Sequence, residues 1–212
     1  MSTATGPGDA AADPVARVSN FNVANYLTVF RLLLVPVFAA LLLAEDGDSE
    51  GLRVAATLVF ALASYTDRVD GQLARSRGLV TSFGKLVDPI ADKALIGAAL
   101  IGLSVLDELP WWVTVVVLVR ELGVTLLRFW VIRHGVIPAS RGGKLKALLQ
   151  ALAIGFYLLP LTGLLATGRA LFMAVAVGVT VVTGIDYVAR AVTLRRTSER
   201  AAVKRARKLA KG

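Results

Sequence analysis

The sequence predicts an all-α, polytopic membrane protein of six transmembrane helices with both termini cytoplasmic, and three observations predict it. First, 56% of the 212 residues are apolar and the mean hydropathy is +0.67, whereas soluble domains sit near about 45–50% apolar on a looser count that includes glycine. Second, apolar runs recur along the chain with short gaps between them. Since a span needs about 20 residues at 1.5 Å rise, this length holds about six and leaves no room for a separate soluble domain. Third, Lys and Arg gather in alternate gaps, the asymmetry that sets orientation in a bilayer.

Taken in order, residues 1–20 are rich in Gly, Ala, Pro, Ser and Thr without the basic start and apolar core of a secretory signal, and are expected to be a disordered tail. The first span is expected over 26–44, with Pro36 as a kink and Asn22, Asn25, Thr28 and Arg31 near its beginning. An acidic turn, 45–50, follows. The apolar run 52–64 passes without a break into the charged stretch 67–77, so this helix is expected to project from the bilayer by several turns. The third span begins near Gly84 and reaches Leu106, with Pro89 in its first turn, where amides lack internal partners. Trp111 and Trp112 stand where interfacial aromatics belong, opening a fourth span that extends to Trp130 and Ile132. A basic, Gly-containing connection leads to a fifth span over 145–165 and a sixth over 170–193, and a basic tail, 195–212, ends the chain. No internal repeat is present.

The cytoplasmic gaps hold Arg75, Arg77 and Lys85, and then Arg133, Arg141, Lys144 and Lys146; the opposite gaps hold Glu45, Asp46, Asp48, Glu50, Asp107 and Glu108 with Arg169. The expected location is the cell membrane, with the basic tail as an electrostatic anchor to anionic lipids. The net charge of +9 is therefore read against lipid headgroups. A nucleic-acid partner is excluded, because interleaved stacking aromatics and a soluble fold are both missing. Cysteine is absent, so disulfides and thiolate metal sites are excluded, and a metal would need oxygen ligands or the single histidine, His134.

Four carboxylates carry the chemical signal: Asp67 and Asp70 at the end of the second helix, Asp88 and Asp92 at the start of the third. Spacings of three and four put each pair on one face, so neighbouring helices would bring all four together. Such a cluster at the bilayer edge repels itself strongly and needs a cation within it. Hard oxygen ligands favour Mg²⁺, Mn²⁺ or Ca²⁺, and Mg²⁺ commonly completes its octahedron with substrate phosphate oxygens. Gly71, Ala74 and Gly84 permit close backbone approach, and Arg75 and Arg77 add positive charge, an array suited to a pyrophosphate. One D-x-x-D is a common helix-surface pattern, and small residues in spanning helices mostly serve packing. The joint order across helix, turn and helix is what marks a site.

Asp67-x-x-Asp70-Gly71-x-x-Ala74-Arg75, eight residues, then Gly84-x-x-x-Asp88-x-x-x-Asp92 resembles the complete signature of the CDP-alcohol phosphatidyltransferases. The motif covers 26 residues, and the six-span plan extends the likeness over nearly the whole chain. Arg68 departs from it, standing where relatives often have an apolar or aromatic residue. The resemblance implies that 21–194 form the family's six-helix membrane domain, a homodimer with a polar cavity open to the cytoplasm and two divalent cations, Mg²⁺ or Mn²⁺. It also implies that Asp67, Asp70 and Asp88 ligate metal, that Asp92 lies at the metal and is the general base, and that Asp70, Gly71, Ala74 and Arg75 line the CDP site. The assignment is chemically coherent: metals polarise the pyrophosphate while a carboxylate takes the proton of the attacking hydroxyl.

Three further segments, 22–31, Val119-Arg120-Glu121-Leu122 and Gly143-Lys144-Leu145-Lys146, are most similar to family members that use sn-glycerol 3-phosphate. That likeness implies transfer of a phosphatidyl group from CDP-diacylglycerol to glycerol 3-phosphate, giving phosphatidylglycerol phosphate and CMP. Arg120, Arg128, Lys144 and Lys146 are the candidates for the acceptor phosphate, although basic residues at helix ends also snorkel to headgroups. Inositol phosphate, or phosphatidylglycerol giving cardiolipin, are the alternative acceptors. A small cation transporter is the alternative of another class, and it lacks a matching set of acids deeper in the bilayer or in an inverted half. His134 is expected to be non-catalytic, and Asp186 to pair with Arg190 one turn on.

Overall fold

The computed structural model describes residues 23–76, 81–131 and 141–197, and within them the backbone alone at 24, 68, 70–76, 82–86, 131, 141–144 and 196–197. Six α-helices follow one another: α1 (Val23–Leu43), α2 (Glu50–Ser76), α3 (Ser82–Val105), α4 (Trp111–Val131), α5 (Arg141–Leu158) and α6 (Leu164–Thr197), with a 3-10 turn, Ala44–Gly47, between α1 and α2. Among the described residues there is no strand, as an all-α chain requires. The expected N-terminal tail, His134 and all but the first residues of the basic tail lie outside the described residues.

Side-chain contacts give the helix directions. Arg31 meets Asp67 and the Phe38 ring meets Phe60 at 5.8 Å, so α1 and α2 are antiparallel. Thr28 meets Asp88 and Leu42 packs on Gly102, so α1 and α3 are parallel. Arg120 meets Thr180 and Trp130 meets Arg195, so α4 and α6 are parallel as well. The helices alternate in direction, and the two ends of the described chain lie at the end of the bundle that holds Asp67, Asp88 and Asp92.

A core of Phe38, Leu42, Ala56, Phe60, Leu95, Ala99, Leu103, Val117, Ile154 and Leu158 fills the centre. Small residues set the closest approaches: a Cβ at Gly102 would lie 2.7 Å from Leu42 Cδ2, so α1 and α3 meet there on a bare backbone. The outward faces are apolar too. Leu33, Leu58, Trp112, Val119, Leu126, Leu171 and Ile185 are all more than half exposed, a surface that water would penalise and lipid would not.

The expected helix limits hold to within a few residues for α1 and α4, and α2 is one unbroken helix that carries the apolar run into its charged end. Three expectations are corrected. Helix α3 begins at Ser82, which puts Pro89 in its interior rather than its first turn. Helix α5 stops at Leu158 rather than running to Leu165, because Pro160 has no amide to continue the ladder. Helix α6 is longer than expected at both ends. By length and composition, two stretches, Asn25–Gly47 and Leu164–Arg195, are apolar enough to cross a membrane, and Leu145–Leu158 is a shorter apolar helix. In α2, α3 and α4 the charged residues discussed next interrupt the apolar run.

The turns are built from defined caps. At the end of α3 the Glu108 amide donates to the Leu103 carbonyl at 3.0 Å and the Asp107 amide to the Ser104 carbonyl at 3.2 Å. This is the Schellman pattern, with Asp107 at φ 55 in the left-handed place that glycine usually takes. Beside this turn the buried Arg53 pairs with Glu108 and donates to the Tyr157 carbonyl at 2.8 Å and the Leu158 carbonyl at 3.3 Å. Those carbonyls belong to the last turn of α5, where no helical amide reaches them. Arg169 closes the knot, 3.1 Å from Glu108 and stacked 4.8 Å from the centre of the Tyr157 ring.

Candidate active site

At the opposite end of the bundle α1 presents a polar stripe at intervals of three residues, and each member holds a different part of the α2–α3 region. Asn25 Oδ1 accepts from Thr81 Oγ1 at 3.0 Å, just before α3 begins. Thr28 Oγ1 donates to Asp88 Oδ1 at 2.5 Å. Arg31, whose side chain is 0% exposed, places a terminal nitrogen 2.7 Å from Asp67 Oδ1, while Asp67 itself stays 39% exposed. A buried guanidinium is stable only against a fixed anion, so the pair locks the end of α2 to α1 and aims the carboxylate.

Asp67 and Asp92 line one cavity of about 840 Å³, together with Arg31, Lys93, Glu121, Lys146 and Gln150. Most of the remaining wall, including Ala94, Gly97, Ile101, Leu118 and Leu122 of α3 and α4, is apolar. A chamber of this form accepts an amphiphile, with its charged part among the acids and bases and its chain along the helices.

The buried Lys146, on the first turns of α5, forms an ion pair with Glu121 of α4, and Gln150 lies one turn further on. Arg120 is placed elsewhere. Its Nε donates to the Thr180 carbonyl at 3.2 Å, one terminal nitrogen donates to Thr183 Oγ1 at 3.1 Å, and the other lies 3.3 Å from Glu121 Oε1. It lines a separate apolar groove between α4 and α6. Arg128 is exposed and outside the lining of the large cavity.

Of the residues expected at the site, the structure brings together Asp67, Asp92 and Lys146, and joins Asp88 to them through α1. Asp70, Gly71, Ala74, Arg75 and Lys144 lie on described helical backbone, with side chains outside the described residues. Among the described residues no three of Asp, Glu, His or Cys stand close enough to hold a metal ion. The acids expected to hold it, Asp67 and Asp92 on the cavity wall and Asp88 held by Thr28, offer carboxylate oxygen alone, which fits a hard divalent cation and no softer one. Asp186 pairs with Arg190 at 2.9 Å on the exposed face of α6, as its spacing implied.

Thr28, Arg31, Glu121 and Gln150 were not among the expected site residues. The available signal was three polar side chains at one helical spacing, Asn25, Thr28 and Arg31, inside an otherwise apolar run, where an ionisable group needs a partner.

Comparison with known proteins bears on the same region. The family model for CDP-alcohol phosphatidyltransferase matches residues 21–182. A protein of Mycobacterium tuberculosis named probable phosphatidylglycerophosphate synthase is 58% identical over 83% of this chain and 83% of its own length. The CDP-diacylglycerol–glycerol-3-phosphate 3-phosphatidyltransferase of Bacillus subtilis is 39% identical over 79% of this chain and 93% of its own, and that of Rickettsia felis 37% identical over 78% and 93%. With the acidic signature, the six-helix order and a match that spans most of the chain all in agreement, this protein belongs to the CDP-alcohol phosphatidyltransferase family.

Proposed function

We propose that the protein transfers a phosphatidyl group from CDP-diacylglycerol to sn-glycerol 3-phosphate, giving phosphatidylglycerol phosphate and CMP. The observation that carries this assignment is a single cavity with acids on one wall, Asp67 and Asp92, a buried lysine on the other, Lys146, and an apolar extension between α3 and α4. Relatives named for this reaction support the choice of acceptor.

In this scheme Asp92 accepts the proton of the acceptor hydroxyl, whose oxygen forms a bond to the phosphorus that carries the diacylglycerol. The bond from that phosphorus to the bridging oxygen breaks, and CMP departs. Asp67, Asp70, Asp88 and Asp92 hold two divalent cations, Mg²⁺ or Mn²⁺, which when bound polarise the diphosphate and neutralise charge on the leaving group. Gly71, Ala74 and Arg75 lie along the CDP moiety, and Lys146 with Lys144 meets the acceptor phosphate. Arg31 and Thr28 keep Asp67 and Asp88 in fixed orientations, which suits a reaction that depends on alignment and electrostatics. All six helices span the cell membrane with the site and both termini facing the cytoplasm, and the protein works as a homodimer; the alternating helix directions and the basic residues at the site end support that orientation.

The test is CMP release in detergent from CDP-diacylglycerol, with glycerol 3-phosphate, inositol phosphate and phosphatidylglycerol offered one at a time. Turnover is expected with glycerol 3-phosphate, to vanish with a chelator and to return with Mg²⁺ or Mn²⁺. Preference for another acceptor would reassign the substrate, and no CMP release with any of them would overturn the assignment.

A further inference from the structure

An acid beside the cation that receives a phosphate calls for a physical reason. Glu121 and Lys146 both line the cavity and are paired with each other. Alone they would form a neutral couple with little attraction for an anion. Arg120 changes that balance, because it approaches the same Glu121 oxygen from the other side of α4 at 3.3 Å. Within this triad two cations then share one carboxylate, one positive charge in excess, and of the two cations Lys146 is the one that reaches the cavity. All three side chains are 16% exposed or less, so the charge is weakly screened.

What fixes Arg120 is α6. Beyond its bonds to Thr180 and Thr183, the side chain lies directly against Gly184, where a Cβ would sit 3.0 Å from Arg120 Cγ and 3.3 Å from Nε. A methyl here would make Arg120 give by a few tenths of an ångström, and a larger side chain would push it away from α6.

We propose that Arg120 is a positioning residue rather than an acceptor ligand, seated on Gly184 so that it holds Glu121, and through it Lys146, in a net-positive arrangement at the cavity wall. The proposal rests on the reading of that cavity as the acceptor site.

The experiment measures CMP release by the full-length enzyme in detergent, varying glycerol 3-phosphate and CDP-diacylglycerol separately. Loss of one charge-assisted contact is worth about tenfold, so Arg120→Ala is expected to raise the KM for glycerol 3-phosphate by about that factor and the KM for CDP-diacylglycerol by less than about twofold. In a Lys146→Ala background, Arg120→Ala is expected to add less than about twofold, because a residue that acts through Lys146 has nothing left to position. Gly184→Leu should reproduce the Arg120→Ala profile, with Gly184→Ala as the milder variant if the larger side chain prevents folding. Effects of Arg120→Ala and Lys146→Ala that multiply would overturn the proposal and make Arg120 an independent ligand. Equal rises in both KM values would overturn it as well. Failure of the acceptor assignment would look different: the wild-type enzyme would itself prefer another acceptor, and the same cycle run with that acceptor still decides the role of Arg120.

Discussion

Two arginines buried in the same bundle make opposite use of an acid. Arg53, near the start of α2, pairs with Glu108 and caps the Tyr157 and Leu158 carbonyls, while Arg169 takes the other Glu108 oxygen. Nothing in that knot faces the large cavity. Arg31 lies against the other end of α2, about 21 Å away at 1.5 Å per residue, and pairs with an acid that remains 39% exposed and lines the cavity. The first arrangement closes a helix end; the second aims a carboxylate at a ligand. A buried ion pair is weak evidence for stability in itself, so what separates structure from function is where the spare side of the acid points.

The largest expected break in the comparison is chemical. Asp92→Asn keeps the shape of the side chain and removes its basicity, and a positioned general base contributes roughly 10²–10⁴-fold to a rate. CMP release should fall by about that factor while CDP-diacylglycerol binding and thermal stability stay near wild type. Activity within about tenfold of wild type would remove Asp92 from the role of base.

Next come the two arginines themselves. Removing one partner of a fully buried pair costs about 3–5 kcal/mol when the other is left charged and alone. Arg53→Ala leaves Glu108 to Arg169 but strips the Tyr157 and Leu158 carbonyls of their donor, and Arg31→Ala frees an acid that is already part-exposed. Arg53→Ala should therefore lower the thermal midpoint sharply, yet the protein that remains folded at low temperature should keep its KM values. Arg31→Ala should lower both stability and turnover, since Asp67 can then swing away from the cavity. Parallel thermal-shift and CMP-release measurements separate the cases, and a catalytic defect as large in Arg53→Ala as in Arg31→Ala would dissolve the distinction between the two ends.

Much of this contrast was legible in the sequence, unevenly. Helix order and the limits of α1 and α4 follow from apolar runs bounded by turn residues, and the acids of α2 and α3 from their spacing. The end of α5 is hidden from a hydropathy profile by the apolar residues on both sides of Pro160, although the missing amide is the stronger signal. The one partner legible from spacing was Arg190 for Asp186; those of the α1 stripe were not. Asn25, Thr28 and Arg31 read as polar residues near a helix start, and only the packing of α1 against both α2 and α3 shows which group each one holds. Arg120 is the same lesson: its helix position is readable, but the direction of its side chain depends on α6, sixty residues later in the chain.

The smallest effect expected is at the far end of the bundle, and it has the opposite sign. Asp107 occupies the left-handed C′ position of the α3 cap at φ 55, a conformation that costs a residue with a Cβ about 1 kcal/mol or more and glycine nothing. Glycine gives back part of this through the greater freedom of its unfolded chain, about 0.4–1 kcal/mol. Asp107→Gly should therefore stabilise the protein by about 0.5 kcal/mol, a rise of about 1–2 °C in the thermal midpoint. Because Asp107 is outside the cavity lining, both KM values should stay within error of wild type. A loss of stability would mean that the Asp107 side chain belongs to the Arg53–Glu108–Arg169 knot, and that the far end depends on a second acid beyond the one that pairs there.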